Sequence, residues 1–220
     1  MNFPFLTIIV PFAVFTYIFM KKSSRNVDMG VDKFMERERE ANNVRKQPIS
    51  NLEYVKVDLS RIPIVNDPDE RTQELITRLN TLSELNIVNL SGISNTDLKF
   101  KYGVANLPAL TEYDQNFTTL CRTLFDYGSK LVELNEKESA ISVLEYGIEC
   151  NTDLKSHYIL LADLYEETMQ YKKIQELIGK AQNMNSMLKN SLIRELSARL
   201  EDTAFPAEAP AEQELENVEL

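Results

Sequence analysis

The 220-residue sequence predicts an all-α protein: one transmembrane helix, then a domain of stacked helical repeats forming an α-solenoid. Three observations predict it. Phe3 to Met20 contains no ionisable side chain. Apolar residues near Leu75 recur at helical spacing behind an Asp/Pro start signal. From Asp114 onward helical patterns dominate, and one of them returns 34 residues later (Tyr127, Leu161).

The apolar run sets the expected topology. Its 18 residues make a helix of roughly 27 Å, just enough for the hydrocarbon core of a bilayer. No basic residue precedes it and no small-residue cleavage site follows in "FMKKSSR", so retention as an anchor over residues 1–22 is expected rather than removal. Pro4 suits a first helical turn, whereas Pro11 lies mid-run and kinks the helix. Lys21, Lys22, Arg25, Lys33, Arg37 and Arg39 all follow the run. By the positive-inside rule the amino terminus is outside and the rest is cytoplasmic, a single-pass protein of the cell membrane.

Composition excludes several functions. The net charge of -10 argues against a nucleic-acid partner, which needs clustered Lys and Arg. The last 20 residues, "EDTAFPAEAPAEQELENVEL", carry seven acids and no base, leaving about -3 for the body by subtraction. Residues 202–220 are therefore expected to be a disordered acidic tail. Two cysteines, Cys121 and Cys150, are too few for a disulfide scaffold or a zinc site. The one histidine, His157, has Asp153 a turn before it, which reads as a surface i, i+4 contact. No catalytic residue, metal site or cofactor is expected, because no P-loop, nucleophile elbow, metal motif or dinucleotide fingerprint is present.

Residues 23–66 read as a juxtamembrane spacer followed by an extended segment, "LEYVKVDLS", stopped by Pro63. The helical domain spans 67–201. Asp67 can cap its first helix, Pro68 suits the first turn, and Leu75, Ile76, Leu79 and Leu82 form one apolar stripe. Residues 86–110 then show neither helical nor strand period. Leu98, Phe100, Tyr102, Val104 and Leu107 argue against plain disorder there, and the segment reads as a loop, structural rather than functional.

In "LFDYGSKLVELNEKESAISVLEYGIEC", Leu124, Tyr127, Gly128 and Leu131 stand where a tetratricopeptide repeat has its W-x2-L-G-x2-Y. Ala140 and Leu144 match its A-x3-F, followed by Gly147. Thirty-four residues on, Tyr158, Leu161, Ala162 and Tyr165 serve a first helix, and Ile174, Ile178 and Ala181 a second. The sequence thus resembles the tetratricopeptide repeat family over 121–154 and 155–188. Ile174 replaces the family's small alanine, and Thr152 and Ser186 stand at its closing proline. A closing helix over 186–201 completes the expected stack. Cys121 is expected to open the first helix and Cys150 to close the second, at one end of that hairpin.

The resemblance implies a binding groove made by the first helix of each unit. By the family pattern, Arg122, Phe125, Ser129, Val132 and Glu133 face it from one unit. Ser156, Ile159, Asp163, Glu166 and Glu167 face it from the next. The acids suit a protein partner with an apolar and basic segment, and are the wrong set for a carboxylate clamp on chaperone tails. The expected function is a non-enzymatic, bacterial, membrane-anchored adaptor or scaffold that binds a protein partner at the cytoplasmic membrane face. An extracytoplasmic chaperone-like accessory factor and a regulatory subunit of an enzyme complex are the alternatives.

Overall fold

Helix dominates residues 30–204 apart from the stretches 43–69 and 84–94; together with Phe12 and Phe15–Tyr17, residues 30–204 are the part of the chain described by the computed structural model (202–204 in backbone only). Residues 30–42 form α1. The others are α2 (Glu70–Ser83), α3 (Asn95–Tyr102), α4 (Leu107–Glu133), α5 (Lys137–Glu149), α6 (Lys155–Glu167), α7 (Tyr171–Gln182) and α8 (Lys189–Ala204). Short 3-10 turns cover Leu59–Arg61 and Val104–Asn106. Among the described residues there is no strand, only an isolated bridge between Tyr54 and Val88.

The expected transmembrane helix is corrected. Among the described residues no helix is long and apolar enough to cross a membrane. Phe12 and Phe15–Tyr17 are helical, and the remainder of the run Phe3 to Met20 lies outside the described residues. The physical weakness is in the run itself: roughly 27 Å is the bare minimum for a span, and Pro11 removes a backbone donor from its middle. This finding weighs against the anchored, single-pass topology that rested on such a helix. Likewise α8 runs on to Ala204, and the tail beyond it lies outside the described residues.

The described chain falls into two compact units. The first comprises residues up to Asn51 with Ile93–Ala109. Its α3 corrects the loop expected over 86–110. This helix starts on a Ser94-x-x-Asp97 box, in which the Ser94 hydroxyl accepts the Asp97 N–H at 3.2 Å. Polar bonds tie α1 to α3: Arg37 pairs with Asp97 at 2.6 Å, and Glu38 accepts from Thr96 at 2.7 Å and from Lys99. Asn106 donates to the carbonyls of Gln47 (2.6 Å) and Tyr102 (2.7 Å). Gly103, at φ +80, has no room for a side chain, because a Cβ would meet the Arg45 carbonyl oxygen at 2.6 Å.

The second unit comprises Leu52–Gly92 with Leu110 onward. The cap of α2 is Asp69 rather than Asp67. Its carboxylate accepts from the Thr72 amide at 2.8 Å and the Thr72 hydroxyl at 2.6 Å, while Asp67 sits in the preceding turn at φ +58. Those bonds, with Lys130 beside them, hold the Asp69 carboxyl down to about 2. Leu75, Leu79 and Leu82 are buried. The segment before α2 lies on the helices through tyrosine hydroxyls. Tyr127 donates to the Pro63 carbonyl at 2.6 Å; Tyr146 accepts from the Asp58 amide at 2.8 Å and donates to the Lys56 carbonyl at 3.2 Å.

From the middle of α4 to α8 the geometry is that of a helical repeat. Leu124, Tyr158 and Leu192 are buried at intervals of 34 residues, and so are Gly128, Ala162 and Leu196. The helix-to-helix turns recur at the same interval. Asn135 (φ 61) and Met169 (φ 57) take the left-handed conformation, and the Glu136 and Gln170 amides reach back to the Leu131 and Tyr165 carbonyls at 2.8 and 2.7 Å. The same helix-terminating motif also ends α5, where Asn151 has φ 61 and the Thr152 amide reaches the Gly147 carbonyl at 3.3 Å. Small residues set the spacing: a Cβ on Gly128 would meet Leu144 at 2.8 Å, and one on Gly147 would meet the His157 ring at 2.3 Å. α8, the closing helix expected over 186–201, sits 34 residues after α6 (189 against 155), in the position of a further first helix.

Candidate protein-binding face

The ten residues expected to line a groove lie on α4 and α6, with different fates. Phe125, Ser129 and Glu133 line a hollow of about 260 Å³, whose far wall is Arg71 and Leu75 of α2. Val132 and Ile159 are partly buried against the core. Arg122 and Ser156 are exposed. The acids are engaged. Arg199 of α8 pairs with Asp163 (2.5 Å) and Glu166 (3.3 Å); Lys137 pairs with Glu167 at 2.6 Å, and Lys130 with Glu133 at 3.1 Å. Lys130 is shared with Asp69 at 2.9 Å, so with Asp69 counted five carboxylates meet three cations, and each acid of the face has a basic neighbour.

His157 corrects the expected surface contact with Asp153. It is fully buried, with Nε2 3.1 Å from the Leu144 carbonyl oxygen, so Nε2–H donates there and the ring is neutral. Nδ1 is buried without a partner among the described residues. Burial pushes the imidazole down to about 4. Its ring lies against Gly147 and 6.1 Å from Phe125, directly behind the hollow. A group so desolvated, with no substrate space beside it, is a packing element of the α5–α6 contact.

Cys121 is also displaced from its expected place. The helix holding it starts fourteen residues earlier (107 against 121), so it sits mid-helix. Both cysteines are free and buried, and burial raises their thiols, Cys121 to about 12 and Cys150 to about 11. Neither is a nucleophile in this state, since the thiolate is the reactive form.

A wider groove, about 770 Å³, runs between α2 and α4 and is lined by Glu74, Arg78, Leu82, Leu85, Asn116 and Thr119, a feature that was not predicted. One signal was present: Leu85 is apolar but 43% exposed, just beyond the buried stripe of α2. Among the described residues, no cluster of His, Cys, Asp or Glu can hold a metal ion. No family model matches the chain, and no curated protein or solved structure is similar to it.

Proposed function

We propose that this chain is a non-enzymatic adaptor of the tetratricopeptide type, which holds a segment of a partner protein along the face formed by α4 and α6. The observation that supports this reading most is the 34-residue recurrence of both buried positions and turn geometry, ending in a third first-helix, α8. Such stacks expose the first helices as a continuous surface. The partner segment is apolar with a modest basic character. Phe125 and Ile159 supply apolar surface, and the carboxylates of Glu133, Asp163, Glu166 and Glu167, already shared with Lys130, Lys137 and Arg199, supply only a modest negative character.

The test uses a photo-crosslinking residue in the full chain inside cells, placed in turn at Arg122, Ser156 and, on the far side of the repeats, Glu138. Adducts of one partner at Arg122 and Ser156, absent at Glu138 and lost in Phe125→Ala, are expected. The same adducts at all three positions would remove the α4–α6 face from the proposal.

A further inference from the structure

Residues 86–92, which carry no periodicity, build a wall. Asn89 takes the Ser91 amide on its Oδ1 at 2.9 Å and donates Nδ2 to the Asn151 carbonyl at 3.1 Å. Asn185 donates to the Ser91 carbonyl, also at 3.1 Å. Gly92, at φ +81, makes that reach available: a Cβ there would lie 1.8 Å from Asn185 Nδ2. Behind this wall is a cavity of about 260 Å³, closed on its other sides by Glu53, the α5–α6 turn (Asn151, Thr152, Asp153) and the end of α7 (Lys180, Asn183).

Its polar groups are open to a ligand: Glu53, Lys180, Asn151 and Asn183 are exposed and Asp153 is half-buried. None of these side chains forms a close hydrogen bond or ion pair with another described residue, although the Lys180 charge also acts on Glu149. A half-enclosed space lined by an ammonium, two carboxylates and carboxamides offers both signs of charge and hydrogen-bonding groups to one small ligand. An anion alone would leave Asp153 and Glu53 unmatched, and a cation alone would leave Lys180. The volume falls just under the roughly 300–1,000 Å³ of pockets for drug-sized ligands, which favours a smaller molecule.

We propose that this cavity binds a small zwitterion of the amino-acid class, its carboxylate on Lys180, its ammonium on Asp153 and Glu53, and its remaining polar atoms on the carboxamides. The site lies on the loop ends of the repeats and does not depend on the adaptor reading. It is tested on the full chain by titrating L-serine and following the side-chain amide resonances of Asn151 and Asn183. Sodium acetate and methylammonium chloride, singly and mixed, serve as the separated halves. The expected result is a saturable shift with L-serine at millimolar concentration, absent with the halves. Lys180→Met and Asp153→Asn should each weaken it about tenfold or more, the loss of one charge-assisted contact. Lys180 is exposed, so its variant folds. A shift that never saturates, an equal response to the mixed halves, or undiminished binding by Lys180→Met would each overturn the assignment.

Discussion

Arg37 in the first unit and Arg199 in the second both bridge two helices, in different surroundings. Arg37 is 57% exposed and its partner Asp97 47%, whereas Arg199 is 20% exposed and reaches two carboxylates of α6. The same contrast holds for what lies beneath. In the first unit the buried apolar side chains are Ala41 and Leu98 among the described residues; the second has a continuous core running from Leu75 to Leu196. Exposed ion pairs are screened by water and salt, while burying one leucine contributes about 1.5–3 kcal/mol. The first unit therefore owes its form to particular polar partners, and the second to shape.

The sharpest break of that comparison is a core truncation in each unit. Leu144→Ala removes the side chain that fills the space left by Gly128 and should cost about 2–5 kcal/mol. Thermal melting and amide exchange of α5–α7 would show it. Leu98→Ala should accelerate exchange in α1 and α3 while leaving the α5–α7 amides as they were. Equal effects on α5–α7 from both variants would abolish the division into two differently stabilised units.

Acid separates the units next. The neutral His157 ring sits near 4 in the folded chain against 6.5 when unfolded. The unfolded chain therefore takes up the proton first. Stability is full above 6.5, declines as pH falls towards 4, and is then lower by about 3 kcal/mol. Glu38 and Asp97 act with the opposite order. Lys99 and Ser94 hold these carboxyls below their usual 4.5 and 3.8, so their contribution is full above those values and is lost as pH falls below them. Melting between pH 7 and 4 should thus weaken the second unit first, and His157→Gln should flatten its profile.

Much of this architecture was legible because burial in the repeats is periodic. Leu124, Gly128, Tyr158 and Ala162 announce themselves by spacing alone, and each is buried. The missed features are those made by distant partners. Nothing local to Asp163 or Glu166 signals Arg199, and nothing near Tyr127 signals the Pro63 carbonyl. The acids of α4 and α6 could be placed on their helices, while the cations they pair with could not. α3 was hidden for a different reason: eight residues give too few turns to form a stripe, although its Ser94-x-x-Asp97 box was in plain view. His157 was misplaced because a lone histidine beside an acid reads as exposed unless the glycine it packs on, Gly147, is known to touch it.

Salt gives a smaller effect, confined by the same logic to one unit. Raising ionic strength should speed amide exchange in α1 and α3 several-fold, since Arg37–Asp97 is open to solvent on both sides. Exchange in α5–α7 should not respond. Arg37→Gln should reproduce the effect at low salt and remove the remaining salt dependence. A first unit indifferent to both would mean that Ala41 and Leu98 suffice to hold it.

The smallest effect tests the turns. Asn135 and Met169 occupy one position of one motif in left-handed backbone, which asparagine tolerates and a flexible unbranched side chain does not favour. Met169 is 79% exposed, so its side chain contributes little packing to offset that strain. Met169→Asn should therefore raise stability by about 0.5 kcal/mol, and Asn135→Met should lower it by a similar amount. Gly103 of the first unit also has positive φ, but there a backbone carbonyl fills the space, so Gly103→Asn should be disruptive rather than neutral. Denaturant midpoints at unchanged slope measure all three. If Met169→Asn and Asn135→Met moved the midpoint in the same direction, the two turns would not be equivalent, and the 34-residue repeat would hold for the buried positions but not for the connections between helices.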